Sequence, residues 1–131
     1  MTKNAWLGLG FGALSALVIA GGPALAADAA AGADVFKKKC RTCHTVDEGK
    51  HRTGPSLFGI VGSKAGATSF KRYKGLKGVD FVWDAENLDA YIKDPKAFVL
   101  ANTENKRTAM TFKLKDDTQR ADVIEYLKTV K

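Results

Sequence analysis

Residues 40–44 read Cys40-Arg41-Thr42-Cys43-His44, and the use made of this stretch decides what kind of fold the rest of the chain must build. Two thiols three residues apart on a helical turn can form thioethers to the two vinyl groups of one haem, and the adjacent imidazole is then delivered to the iron. These are the only cysteines in 131 residues, too few for a zinc site without more ligands and too close together for a stabilising disulfide. A redox dithiol of the thioredoxin sort expects a strand-helix-strand setting and gives no reason for a histidine directly after the second cysteine. Covalent haem attachment accounts for all three residues, with Cys40 and Cys43 as the thioether donors and His44 as an axial ligand.

Upstream of the motif, Asp28 to Lys39 places Gly32, Val35 and Phe36 at helical spacing. Lys37, Lys38 and Lys39 crowd its C-terminal end, where the helix dipole favours cations. Earlier still, Lys3 precedes a run from Ala5 to Ala20 of small and apolar residues broken only by Ser15. Gly21, Gly22 and Pro23 end the run, and Ala24-Leu25-Ala26 supplies small residues where a signal peptidase reads them. The expectation is a signal peptide over residues 1–26, cleaved after Ala26 with Ala27 the next best position, and a single domain over 27–131. The alternative, an uncleaved membrane tether, meets an apolar stretch shorter than the roughly 20 residues that a spanning helix needs.

Downstream, Thr45 to Val79 is rich in Gly, Lys, Ser and Thr without a sustained period. A stretch so long and structureless is unusual in a compact domain unless it wraps around something. Asp84 can cap a short helix bearing Leu88, Tyr91 and Ile92 that stops before Pro95. Asp94 and Pro95 open another turn or two through Leu100. A last helix begins at Asp117 or Thr118, with Ala121, Val123, Ile124 and Leu127 expected on one stripe. No strand pattern competes, so the fold class expected is all-α, with no repeat and no second domain.

Iron bound by one imidazole takes a sixth ligand or keeps an open site, and that choice separates an electron carrier from a peroxidase or gas sensor. Once the leader and Met1 are gone, Met110 is the only methionine left. Its neighbours Thr108, Thr111, Lys113 and Lys115 are polar and do not resemble a core helix, which speaks against plain core filling. A thioether sulfur suits a soft low-spin iron and raises the reduction potential. The metal ligands expected are therefore His44 and Met110. His51 lies too close to His44 in the chain to reach around a haem.

With these residues in hand, the chain resembles the class I cytochromes c, most of all the bacterial cytochrome c2 group and its mitochondrial relatives, from Gly32 to Lys128. The resemblance implies a small cytochrome c fold in which the N- and C-terminal helices cross, Gly32 and Phe36 meeting Val123 and Tyr126, while long loops wrap one haem c. It gives Pro55, within His51-Arg52-Thr53-Gly54-Pro55-Ser56-Leu57, the carbonyl that accepts the hydrogen bond of the ligand imidazole, and makes His51 a loop-tying residue. It sets Trp83 and, more weakly, Tyr73 against a haem propionate, Tyr91 near the methionine sulfur and Phe112 at the exposed haem edge. The segment Phe70 to Val79 does not match the mitochondrial members residue for residue, and Leu100 to Arg107 is longer than in the shortest of them, resembling an insertion of the c2 group.

The formal net charge of +7 falls to +6 without Lys3, and two propionates would lower it to about +4. Basic residues cluster at Lys37–Lys39 and Arg41 and again at Lys71, Arg72, Lys74 and Lys77, with no aromatic interleaving of the kind that base stacking uses. Acidic protein surfaces therefore suit this chain better than nucleic acid. The resemblance implies a monomeric periplasmic electron carrier, not an enzyme, with Lys39, Lys96 and Lys115 around the haem edge. Its partners would be membrane redox complexes such as cytochrome bc1, a terminal oxidase or a photosynthetic reaction centre. The rival readings are a haem peroxidase or gas sensor, and a tethered carrier.

Overall fold

The computed structural model describes residues 25–131; the leader expected over 1–26 lies, apart from its last two residues, outside them. Among the described residues four α-helices carry the architecture: α1 (Ala29–Val35), α2 (Ala85–Lys93), α3 (Pro95–Asn102) and α4 (Asp117–Thr129). Each is started by an aspartate, Asp28, Asp84, Asp94 and Asp116 respectively, whose carboxylate accepts one or two of the helix's first free N–H groups. A negative charge there also complements the positive end of the helix dipole. Pro95 sits at the first position of α3, where no N–H is needed.

The first helix departs from the single α-helix expected over Asp28 to Lys39. It is α-helical only to Val35, and Phe36–Cys40 forms a wider π turn closed by the Arg41 N–H on the Phe36 carbonyl at 2.9 Å. Apolar spacing alone cannot separate the two, because residues four apart share a side in both kinds of helix. Among the described residues the only β pairing is one isolated antiparallel bridge, Lys64 with Val82. It closes the long loop on itself, with Ala65 N–H on the Phe81 carbonyl and Trp83 N–H on the Ser63 carbonyl, both 2.8 Å.

The crossing of α1 and α4 is the main helix contact. Gly32 lies against α4 so closely that an added Cβ would overlap the Asp122 carbonyl oxygen and come within 2.8 Å of the Tyr126 Cβ. Phe36 packs its ring on Tyr126 with centroids 5.6 Å apart, and the Asp28 N–H reaches across to Asp122 Oδ1 at 2.8 Å. Phe36, Leu114, Val123 and Leu127 make one buried cluster around this crossing; Leu76, Trp83, Leu88, Phe98, Val99 and Ile124 belong to a second, between the long loop and α2 to α4. Phe81 and Phe98 serve the packing, both within 6 Å of the Trp83 ring.

One position on the α4 stripe differs from expectation. Ala121 is exposed, and the buried face runs through Arg120, Val123, Ile124 and Leu127. Arg120 is 2% exposed, yet its charge is met: Nε donates to Asp89 at 2.7 Å, Nη1 to the Leu114 carbonyl at 2.9 Å and Nη2 to Asp117. A pattern that counts apolar residues passes over a cation buried with its partners.

Candidate functional site

Where the π turn ends, the backbone makes a further tight turn, with Cys43 N–H at 3.0 Å and His44 N–H at 2.9 Å from the Cys40 carbonyl. This holds Cys40, Cys43 and His44 together on the wall of a cavity of about 310 Å³. The two sulfurs are not joined to each other in a disulfide. Burial pushes the Cys40 thiol up to about 11, with the nearby Cys43 adding to the shift.

The His44 ring is held from behind. Its Nδ1–H donates to the Pro55 carbonyl at 2.7 Å, which leaves the Nε2 lone pair as the one available to a metal. Burial lowers the imidazole pKa, partly offset by that hydrogen bond, so the neutral, ligating form prevails at neutral pH. Gly54 makes the arrangement sterically feasible: a Cβ there would stand 2.5 Å from Cε1 and 2.9 Å from Nδ1 of His44. The Gly54 N–H in turn donates to the Cys43 carbonyl at 2.7 Å, tying the loop to the motif.

Met110 reaches the same cavity on a loop pinned at both ends. On the approach, Asn105 Nδ2 donates to the Gly75 and Lys77 carbonyls at 3.1 and 3.2 Å, and Gly75 packs so closely that a Cβ would come within 2.9 Å of the Arg107 carbonyl. On the exit, Leu114 N–H bonds the Ile92 carbonyl at 3.0 Å and Lys113 pairs with Asp94 at 2.7 Å. Between them, Thr108 Oγ1 accepts from the Met110 N–H at 3.3 Å and meets the Tyr91 hydroxyl at 3.4 Å. Tyr91 thus touches the methionine loop through Thr108, while its ring lies 5.1 Å from that of Trp83.

All nine residues singled out from the sequence, Cys40, Cys43, His44, Pro55, Tyr73, Trp83, Tyr91, Met110 and Phe112, line this one cavity. Trp83 is almost fully buried and Phe112 is 39% exposed. Burial pushes the Tyr73 hydroxyl up to about 12, although hydrogen bonds from Gly66 and Trp83 act the other way. His51 stays outside the cavity and ties loops together: its Nδ1 accepts the Ser56 N–H and its Nε2 meets Ser69 Oγ, both at 3.0 Å. Five contributors were given no role from the sequence. Gly54 and Gly75 act through close backbone approach, which carries no side-chain signal in a sequence, and Thr108 acts through its Oγ1 on Met110 and Tyr91; Arg72 and Lys74 also line the cavity and were visible only as part of a basic cluster.

Chemically, the cavity offers apolar walls, including Leu76, Leu88, Val123 and Leu127, together with the cations Lys39, Arg72 and Lys74 and no carboxylate. That suits a flat apolar group with anionic substituents, tethered by two thiols and ligated by an imidazole nitrogen. Among the described residues no three His, Cys, Asp or Glu side chains are arranged so that they could hold a metal ion, which speaks against a zinc site built on the two cysteines.

Comparison with known proteins agrees. The Cytochrome c family model matches residues 29–131. The chain belongs to the cytochrome c family. It is 40% identical over 130 residues to cytochrome c2 of Rhodospirillum rubrum, covering 94% of this chain and 96% of that one. With cytochrome c-550 of Novispirillum itersonii the identity is 44% over 111 residues, covering 79% and 99%. The X-ray structure of ferric cytochrome c-550 from Paracoccus versutus matches the fold with a TM-score of 0.68 at 34% identity, over 79% of this chain and 98% of that one. As a family member the chain is an electron-transport protein carrying one haem c, bound covalently through Cys40 and Cys43.

Proposed function

We propose that this chain is a periplasmic single-electron carrier whose haem iron is held between His44 and Met110, and that no substrate is transformed at the site. One observation carries the reading: the imidazole of His44 and the thioether of Met110, from distant parts of the chain, line the same cavity, each on a braced segment. The haem supplies the one-electron Fe(III)/Fe(II) couple. Pro55 holds the His44 ring and raises its basicity through the Nδ1–H bond, and Met110 adds a soft sulfur donor that favours the reduced state. The cations Arg72 and Lys74, with the polar groups of Tyr73 and Trp83, provide for the propionates. Apolar side chains keep water away, which limits the reorganisation that accompanies a change of charge.

Phe112 marks the open rim, and Lys39 lines the cavity near the cysteines. With Lys96 and Lys115, also exposed, Lys39 forms the positive ring that would steer an acidic partner, a membrane redox complex such as cytochrome bc1, a terminal oxidase or a photosynthetic reaction centre. The carrier acts as a monomer. Each lysine alone is worth well under about 1 kcal/mol, whereas the summed field can raise association to about 10⁸ per molar per second at low salt. Among the described residues no helix is long and apolar enough to cross a membrane; cleavage after Ala26 or Ala27 would release the domain.

The ferric absorption spectrum tests the ligand set. Sulfur ligation gives a weak red charge-transfer band that Met110→Ala abolishes; an unchanged band in that variant would refute the assignment. The intact mass decides processing, and a steep fall of the electron-transfer rate with added salt is the expected sign of the lysine ring.

A further inference from the structure

A second cleft lies behind the attachment motif, between the helical stretch ending at Cys40 and the loop that follows His44. It has about 310 Å³ of open volume and is lined by Ala33, Phe36, Lys37, Arg41, Val46, Asp47, Arg52 and Tyr126 among others, with His44 forming part of the wall shared with the haem cavity. Three cations converge on it from separate segments: Lys37 from the π turn, Arg41 from within the motif and Arg52 from the loop. Among the described residues none of the three has a carboxylate within ion-pair distance, although Lys50, Lys64, Lys113, Arg120 and Lys128 all do. The one acidic side chain in the lining, Asp47, is drawn toward Lys50 at 3.7 Å. Arg52 is also held in place, its Nη1 donating to the Arg41 carbonyl at 3.2 Å.

Three unpaired cations brought to the mouth of one recess repel one another, and the sequence supplies acidic residues elsewhere that could have relieved them. An anion of matching size would relieve them. Two guanidinium groups favour oxygen pairs such as those of a phosphoryl group, which they can bind through paired N–H donors.

We propose that this cleft is a binding site for a small polyanion bearing phosphoryl groups, held by Lys37, Arg41 and Arg52. It is separate from the haem edge, so a bound anion leaves the partner face open. Because its wall includes His44, negative charge placed there stabilises the more highly charged ferric iron, and occupancy lowers the reduction potential.

The test uses the haem-loaded protein at constant ionic strength. Inorganic tripolyphosphate is titrated by calorimetry, and phosphatidylglycerol vesicles by sedimentation in parallel. Lys37→Gln with Arg52→Gln removes two of the cations without touching residues 40–44; Lys106→Gln with Arg107→Gln removes the same charge elsewhere. A phosphoryl site is supported if the first pair weakens tripolyphosphate binding by about tenfold or more and the second leaves it within about twofold. Vesicle binding lost in the first pair alone would support the same site and identify a lipid headgroup as the source. Equal weakening in both pairs, or no binding of either probe to the parent protein, overturns the proposal. In the supported case, tripolyphosphate also lowers the reduction potential of the parent protein and leaves that of the first pair unmoved.

Discussion

Replacing Gly54 by alanine should unseat the ligand histidine without touching it. The new Cβ would stand 2.5 Å from His44 Cε1, whereas ordinary contacts begin near 3.4 Å, so the ring and the loop must part by about 0.9 Å. The two sides are joined by the 2.7 Å bond from His44 Nδ1–H to the Pro55 carbonyl, one residue further on. A shift of that size takes the bond to or past the limit at which it holds. Losing it costs about 1 kcal/mol and the overpacking about 1–2 kcal/mol more. The sum, about 2–3 kcal/mol, corresponds to a fall in Tm of roughly 8–24 °C for a domain of this size. A weaker Nδ1–H bond also makes the imidazole a poorer donor, which raises the reduction potential. Thermal unfolding followed by circular dichroism, and potentiometry on the same sample, read both effects. A variant whose Tm lies within 2–3 °C of the parent and whose potential is unmoved would falsify the packing argument.

Gly32→Ala should be more severe, because its Cβ overlaps the Asp122 backbone of α4 and no side chain can give way; the yield of covalently loaded protein is expected to collapse, and near-normal yield would refute the close crossing. Arg120→Met keeps most of the volume but leaves the Leu114 carbonyl without its donor, a cost of about 1–3 kcal/mol in denaturant unfolding; an unchanged midpoint would show that the carbonyl finds another partner. Tyr73 carries a hydroxyl raised to about 12 against the ordinary 10, so its contribution to stability is present in full below pH 10 and is lost as the pH rises from 10 toward 12. Tyr73→Phe should flatten the alkaline fall of stability across that window, and an identical slope in the variant would exclude Tyr73 as its source.

Cys40, Cys43, His44 and Met110, which line one cavity, could be picked out as candidates because their chemistry is tied to residue type: only certain atoms form thioethers or bind iron. The four helices were legible for a related reason, since apolar spacing, aspartate caps and Pro95 act within a few residues of one another. The ends of these elements were less so. The switch from α to π at Phe36 leaves the apolar spacing unchanged, and Arg120 looks like surface until Asp89, from a different helix, is seen beside it.

The sequence by itself determined that two thiols and an imidazole stand together in one motif, that the chain is helical, and that Met110 is the only methionine after Met1. Tertiary structure alone decided how that unit is held. The clearance at Gly54, the pinning of the methionine loop by Asn105 and Leu114, the partners of Arg120 and the unpaired cations behind the motif all depend on distances between residues far apart in the chain. Such distances are set by packing, and a one-dimensional pattern records what each residue is but not which others it will be pressed against.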